Sequence, residues 1–285
     1  MILYRYYIVY FFTIITVFVS CSDNFTNTEP TSGRVVVDAS IEVGASPKVV
    51  LTYSLPLTAK IDSSAYYDVV NTRAKVTISD GEKTEILTLV KRKNSFPPHY
   101  YTSQSIKGIQ GKTYSLEVVY YSDTLRSQTT IPQSVAISDI WTEPHATDST
   151  QRYVWISFCD DVQTQNYYRI FTQIRGKQND FVPTYQSAFR DDYFNGTCPD
   201  VMLYKGIENF YDKNREDTYS VGDTVLIKIS AIDKQSYLFW NNYEKEVFNS
   251  GNPFASNGFN LTSNIENGMG IWCGYASKVY FIIIK

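Results

Sequence analysis

Between residues 33 and 131 apolar side chains return at every second position, and that period confines this part of the chain to half-buried β-strands. Val35, Val37, Ala39, Ile41 and Val43 alternate with Val36, Asp38, Ser40 and Glu42, and Val49, Leu51 and Tyr53 resume the pattern after a turn at 44–47. Residues 74–78 and 84–90 read as two strands flanking Asp80-Gly81, a dipeptide that closes tight hairpins. Gly111 opens a strand with Tyr114, Leu116, Val118 and Tyr120 on one face. A turn at Ser122 and Asp123 leads to a last strand at 125–131, which Pro132 stops because it has no amide donor. About seven strands without a helix predict an immunoglobulin-like or transthyretin-like β-sandwich over 33–131.

Residues 132–140 read as a linker, and beyond them the loops lengthen. Strands are legible at 153–159, 167–174 and 224–232, while the apolar run 279–284 is too short to cross a membrane and reads as a buried terminal strand. One helix is predicted near 234–249. Asp233 or Ser236 can cap its first amides, and Phe239, Trp240, Tyr243 and Val247 share the face that packs on the sheet. The expected fold is mainly β, with 33–131 as one module and 132–285 as a second β-rich module carrying one packed α-helix; the length suffices for both.

The amino terminus follows the order of a secretory signal. Arg5 supplies a positive flank, and 6–19 is apolar or aromatic apart from Thr13 and Thr16, short of the roughly 20 residues that span a bilayer. Phe18-Val19-Ser20-Cys21 resembles a lipobox, which makes 1–20 a signal peptide and Cys21 the lipid attachment site; the alternative is an ordinary signal peptide with an incidental cysteine. Ser22-Asp23-Asn24 resembles the acidic tag that routes many Bacteroidetes lipoproteins to the cell surface, and 21–32, rich in Thr, Ser, Asn and Pro, reads as a flexible tether. With 26 basic and 29 acidic side chains and no basic block, nucleic acid and anionic headgroups are poor partners.

Three cysteines remain once Cys21 carries lipid. One bridge and one free thiol is the simplest arithmetic, and Cys159 with Cys198 is the preferred pair because Gly196-Thr197-Cys198-Pro199 can turn towards a strand end. Three buried free thiols are the alternative.

Several stretches together resemble a family pattern. They are Val221-Gly222-Asp223-Thr224 before a strand, Ile232-Asp233 leading into a helix with Tyr237, Leu238, Phe239 and Trp240, Asn252-Pro253-Phe254, the run from Ser263 to Gly270, and Gly111-Lys112-Thr113-Tyr114 in the first half. The pattern is similar to that of an uncharacterised Bacteroidetes outer-membrane lipoprotein family, domain of unknown function 4249, over essentially the whole mature chain. The resemblance implies an accessory role in uptake beside a TonB-dependent outer-membrane barrel, and it brings no established functional residues. In the carboxy-terminal motif, Gly268 and Gly270 permit positive φ or close backbone approach, so that Ile271, Trp272 and Tyr275 can enter the core. Asn264, Glu266 and Asn267 form a structural turn or else line a polar ligand pocket.

Catalytic and metal motifs fail on spacing, and no cofactor or metal is expected. His99 and His145 are isolated, short of the three or four ligands that zinc needs. Gly108-Ile109-Gln110-Gly111-Lys112-Thr113 has too few residues between its glycines for a phosphate loop, and no Gly-x-Ser-x-Gly elbow occurs. The adjacent members of Asp160-Asp161 and Asp191-Asp192 point to opposite sides of a strand, which prevents either pair from flanking one bond. Asp191, Asn195 and Gly196, or Asp212, Asn214 and Glu216, match no complete calcium loop. Tyrosine is in excess, with 24 residues and pairs at Tyr66-Tyr67, Tyr100-Tyr101, Tyr120-Tyr121 and Tyr167-Tyr168; exposed rings of this kind suit sugar stacking or protein contact. Two functional expectations follow. One is a non-catalytic binding or accessory subunit at the outer membrane, and the alternative is a hydrolase on a glycan or peptide with an unrecognised acidic site.

Overall fold

In β1 (Val35–Glu42) the alternation puts Val35, Val37, Ala39 and Ile41 inside, and β2 (Lys48–Tyr53) folds back on it with Leu51 opposite Val37. The computed structural model describes residues 33–54, 69–92, 97–206, 217–249 and 261–285, and among these the chain is mainly β with one helix. A four-stranded sheet in the order β4-β3-β7-β8 covers one face of this pair; its strands are β3 (Lys75–Ser79), β4 (Thr84–Ile86), β7 (Thr113–Tyr120) and β8 (Asp123–Thr130). Val76, Ile78, Leu116 and Val118 meet Val37, Ile41 and Leu51 in one core, which makes a sandwich. The expected single strand at 84–90 is divided between the two layers. Leu87, buried, marks the crossing from β4 to β5 (Thr88–Lys91), which joins the main sheet through β6 (His99–Thr102).

The second half repeats the arrangement. β10 (Gln151–Phe158) pairs with β9 (Ile137–Pro144), β13 (Asp200–Leu203) and β14 (Tyr219–Ser220), and this sheet packs through Val154, Ile156 and Leu203 against Ile170, Ile227 and Ile229. The latter three belong to β11 (Tyr167–Ile174) and β15 (Thr224–Ile232), which with β12 (Val182–Arg190) continue the main sheet.

The two halves share their central strand. β16 (Met269–Ile283) runs parallel to β1 over 269–275 and antiparallel to β15 over 276–283, giving one eight-stranded sheet in the order β12-β11-β15-β16-β1-β2-β6-β5. A module boundary at residue 131 therefore does not hold, and residues 34–285 form one compact unit. The supposed linker at 132–140 is part of the packing, with Val135 and Ile137 buried and β9 beginning inside it. Either half without β16 would leave an open sheet edge at its centre. Gly270, at φ 118, makes the parallel approach fit: a Cβ there would lie 1.8 Å from the Val37 carbonyl oxygen.

Both faces of β16 are covered in its first half, which explains an unbroken buried run. Trp272 and Ala276 enter the sandwich core, while Ile271, Cys273 and Tyr275 pack with Tyr237 and Phe239 of α1 (Lys234–Asn249). In its second half one face opens, and Val279, Phe281 and Ile283 are exposed, contrary to the buried strand expected at 279–284. Asp233 caps α1, its Oδ1 accepting from Ser236 N at 2.7 Å, and its Oδ2 accepts the Thr129 hydroxyl at 3.0 Å, which ties the helix start to β8.

Candidate functional site

Cys21, the signal segment and the tether lie outside the described residues, as do Tyr66, Tyr67, Asp212, Asn214, Glu216 and Asn252-Pro253-Phe254. Cys159 and Cys198 are joined by a disulfide. Cys273 is a free thiol within the core, and burial pushes it up to about 12, which keeps it protonated and inert.

Asn264, Glu266 and Asn267 are brought together, each with a structural task. The Asn264 side chain acts as a surrogate peptide group: its Nδ2 donates to Trp272 O at 2.8 Å and its Oδ1 accepts from Trp272 N at 2.9 Å. Glu266 and Arg126 exchange backbone hydrogen bonds at the edge of β8, and Asn267, at φ 59, donates to Thr124 O. The Trp272 indole then donates to Tyr114 O at 3.0 Å, locking the motif onto β7. Asn264 and Glu266 also border an open polar groove of about 900 Å³, whose far wall is the outward face of β3 and β7 with Thr77, Ser115 and Glu117.

The acidic pairs are divided among loops. Asp160 accepts from the Tyr168 hydroxyl and from Gly196 N, whereas Asp161 accepts from Gln163 N. Asp191 is buried and takes Asn166 N at 2.7 Å; Asp192 faces Arg190 at 2.6 Å. His145 accepts amides of its own turn, and His99 lies in β6. Among the described residues no group of three His, Cys, Asp or Glu side chains is placed to hold a metal ion. Of the tyrosine pairs, Tyr120-Tyr121 leaves Tyr121 exposed at a hairpin turn, whereas Tyr167 and Tyr168 are both buried because the sheet there is covered on both sides.

The most developed site lies elsewhere, at the edge strand β12. Arg169 pairs with Ala188 but Phe171 pairs with Pro183, so residues 184–187 loop out as a wide bulge with Gln186 at φ 52. Bulges of this kind re-aim side chains away from the ladder. A buried polar node holds it. Arg169 is 4% exposed; its Nε donates to Ser187 Oγ at 3.1 Å and its Nη1 to Tyr275 Oη at 2.9 Å, and its guanidinium lies 3.6 Å over the Trp240 ring. Ser187 in turn donates to the Glu244 carboxylate on α1. Burial raises the Glu244 carboxyl above the ordinary range, with Ser187 and Arg169 opposing the shift. Desolvating an arginine costs several kcal/mol unless bonds and opposite charge replace the water. Stacking on Trp240, two hydroxyl partners and the nearby Glu244 do so here.

Braced in this way, the bulge, β13 and α1 enclose a pocket of about 670 Å³. Tyr185 and Tyr204 meet edge to face at 5.9 Å in its wall, and Tyr237 stacks on Tyr167 beneath α1. Tyr193, at 99% exposed, stands at its mouth, and the Gln186 and Asn241 amides border it. Flat rings, amides and a rigid base suit stacking and hydrogen bonding to a held molecule. None of Tyr185, Tyr193 and Tyr204 belongs to a tyrosine pair, and the only local signal of the bulge is Pro183 inside a strand.

A family model described as a domain of unknown function (DUF4249) matches residues 22–280. No curated protein matches the chain.

Proposed function

The chain belongs to the DUF4249 family, and from that footing we propose that it is a lipoprotein of the outer membrane, anchored through Cys21 and exposed at the cell surface, that acts as a non-catalytic binding or accessory subunit of a TonB-dependent barrel. The observation that carries this reading is the β12 pocket. A solvent-open aromatic mouth stands on a buried Arg169–Ser187–Glu244 node, an arrangement that spends stability on holding a shape. The family match starts one residue past Cys21, which supports a division between a leader and the mature chain. Tethering next to a transporter raises the effective concentration of a weakly held ligand at the barrel mouth, so the subunit can act without chemistry. The hydrolase reading has less support, since Asp160, Asp161, Asp191 and Asp192 already serve as acceptors or ion-pair partners within their own loops.

The test is affinity purification of the native protein from outer membranes in mild detergent. A TonB-dependent barrel should accompany it, and Cys21→Ala should abolish palmitate labelling and release the protein from the membrane fraction. Unchanged labelling of the Cys21→Ala protein, or turnover of glycan or peptide substrates that disappears when Asp191 is replaced, would overturn the proposal.

A further inference from the structure

The chemistry of the β12 pocket narrows its occupant, and this step rests on reading that pocket as the binding site. We infer that it takes an uncharged oligosaccharide, with one sugar ring stacked on Tyr193 and its hydroxyls bonded by the Gln186 and Asn241 amides.

Five features of the pocket lead there. A ring as exposed as Tyr193 contributes nothing to the core, so its large apolar face is available to a ligand. A ligand that gains from that face yet lives in water needs an apolar surface with a polar rim. A pyranose has C–H bonds on its faces and hydroxyls around its edge. Amides present a donor and an acceptor side by side, matching neighbouring hydroxyls, and the left-handed backbone at Gln186 places one on the outside of the bulge.

Apart from the exposed Lys245 on the rim, the charges at the site are compensated. Arg190 is paired with Asp192 at 2.6 Å, and the Glu244 carboxyl is buried against Ser187 with Arg169 behind it. That leaves one solvent-screened lysine, too little for the one-signed field that concentrates phosphates or carboxylates, and of the wrong sign for cations. A peptide strand adding to the sheet edge is also disfavoured, because the bulge at 184–187 removes the regular ladder that strand addition requires. The volume, about 670 Å³, falls within the range of small-molecule sites and exceeds a single sugar unit.

The full lipoprotein, purified in detergent, should be titrated calorimetrically with soluble hexasaccharides of α-glucan, β-glucan, xylan, mannan and galactan, and with hexaalanine, each to about 5 mM. At least one hexasaccharide should bind. Tyr193→Ala should weaken it about tenfold while Tyr193→Phe retains it, the scale of one lost stacking contact. The unfolding midpoint should not move, because the ring is outside the core. Failure of every hexasaccharide to bind, binding that Tyr193→Ala leaves unchanged, or hexaalanine binding with the same dependence on Tyr193 would overturn the inference. If the barrel still co-purifies in any of those cases, only the ligand class falls; if it does not, the accessory-subunit reading falls as well.

Discussion

Replacing Asn264 by alanine should destabilise the whole of 34–285 in a single step. The substitution removes both hydrogen bonds to the peptide groups of Trp272, at 2.8 and 2.9 Å, and Trp272 has no exposed surface through which water could replace them. At about 1–3 kcal/mol for each of the two buried groups left without a partner, the loss is roughly 2–6 kcal/mol. With a urea m-value of about 3 kcal/mol/M for a chain of this size, the midpoint should fall by roughly 1 M. The assay is equilibrium urea unfolding followed by tryptophan fluorescence and far-ultraviolet circular dichroism in parallel. Because β16 is central to both halves, the two probes should give one coincident transition before and after mutation. A shift under about 0.3 M, or a two-step curve in which one step alone moves, would refute the reasoning. The first outcome would mean that the amide does not complete the strand, and the second that the halves do not share it.

Cys159→Ser and Cys198→Ser should each lower stability by about 2–4 kcal/mol, the loop-entropy scale for a separation of 39 residues, and the double variant should lose no more than either alone; an additive loss in the double variant would count against the bridge. Gly270→Ala should cost more than a typical surface change, above about 2 kcal/mol in thermal or urea unfolding, because its Cβ would overlap Val37 O and its φ is 118; a wild-type midpoint would contradict the parallel β1–β16 approach. At Glu85 burial pushes the carboxyl up, but hydrogen bonds from the Ser105 and Ser103 hydroxyls and from the Gln104 and Ser105 amides outweigh it and hold the group at about 2, below its ordinary 4.5. The native state therefore prefers the ionised form, so the stabilisation is complete above about pH 4.5 and is lost as pH falls towards 2. The gap in urea midpoint between the protein and Glu85→Gln should shrink from pH 6 to pH 3, and a gap independent of pH would show that the carboxylate is not so held.

What could be read from the chain was what depends on near neighbours. Val35 to Ile41 announce β1 by alternation, Asp80-Gly81 closes the turn between β3 and β4, and Asp233 caps α1, because each of these signals is local and acts within a few residues. The merging of the two halves was not legible. The pairing of Val36 with Met269 and of Ala231 with Ala276 is a tertiary choice, and a strand covered on both faces, such as 270–276, carries no alternation to read. The candidate site was hidden for a related reason. Arg169 and Glu244 look like ordinary surface charges in a strand and a helix until the bulge at 184–187 brings Ser187 between them. Tyr193 is one unpaired tyrosine among many until the pocket forms behind it.

The position of β16 also bears on how such a chain can be made. A ribosome delivers β1 early and β16 more than two hundred residues later, and until then β1 waits with one flank of its backbone unpaired. Closing that gap is a long-range, parallel pairing, the slowest kind to nucleate. A sheet whose middle strand is synthesised after its neighbours therefore stays open through most of the synthesis of residues 34–285 and closes only when that strand arrives.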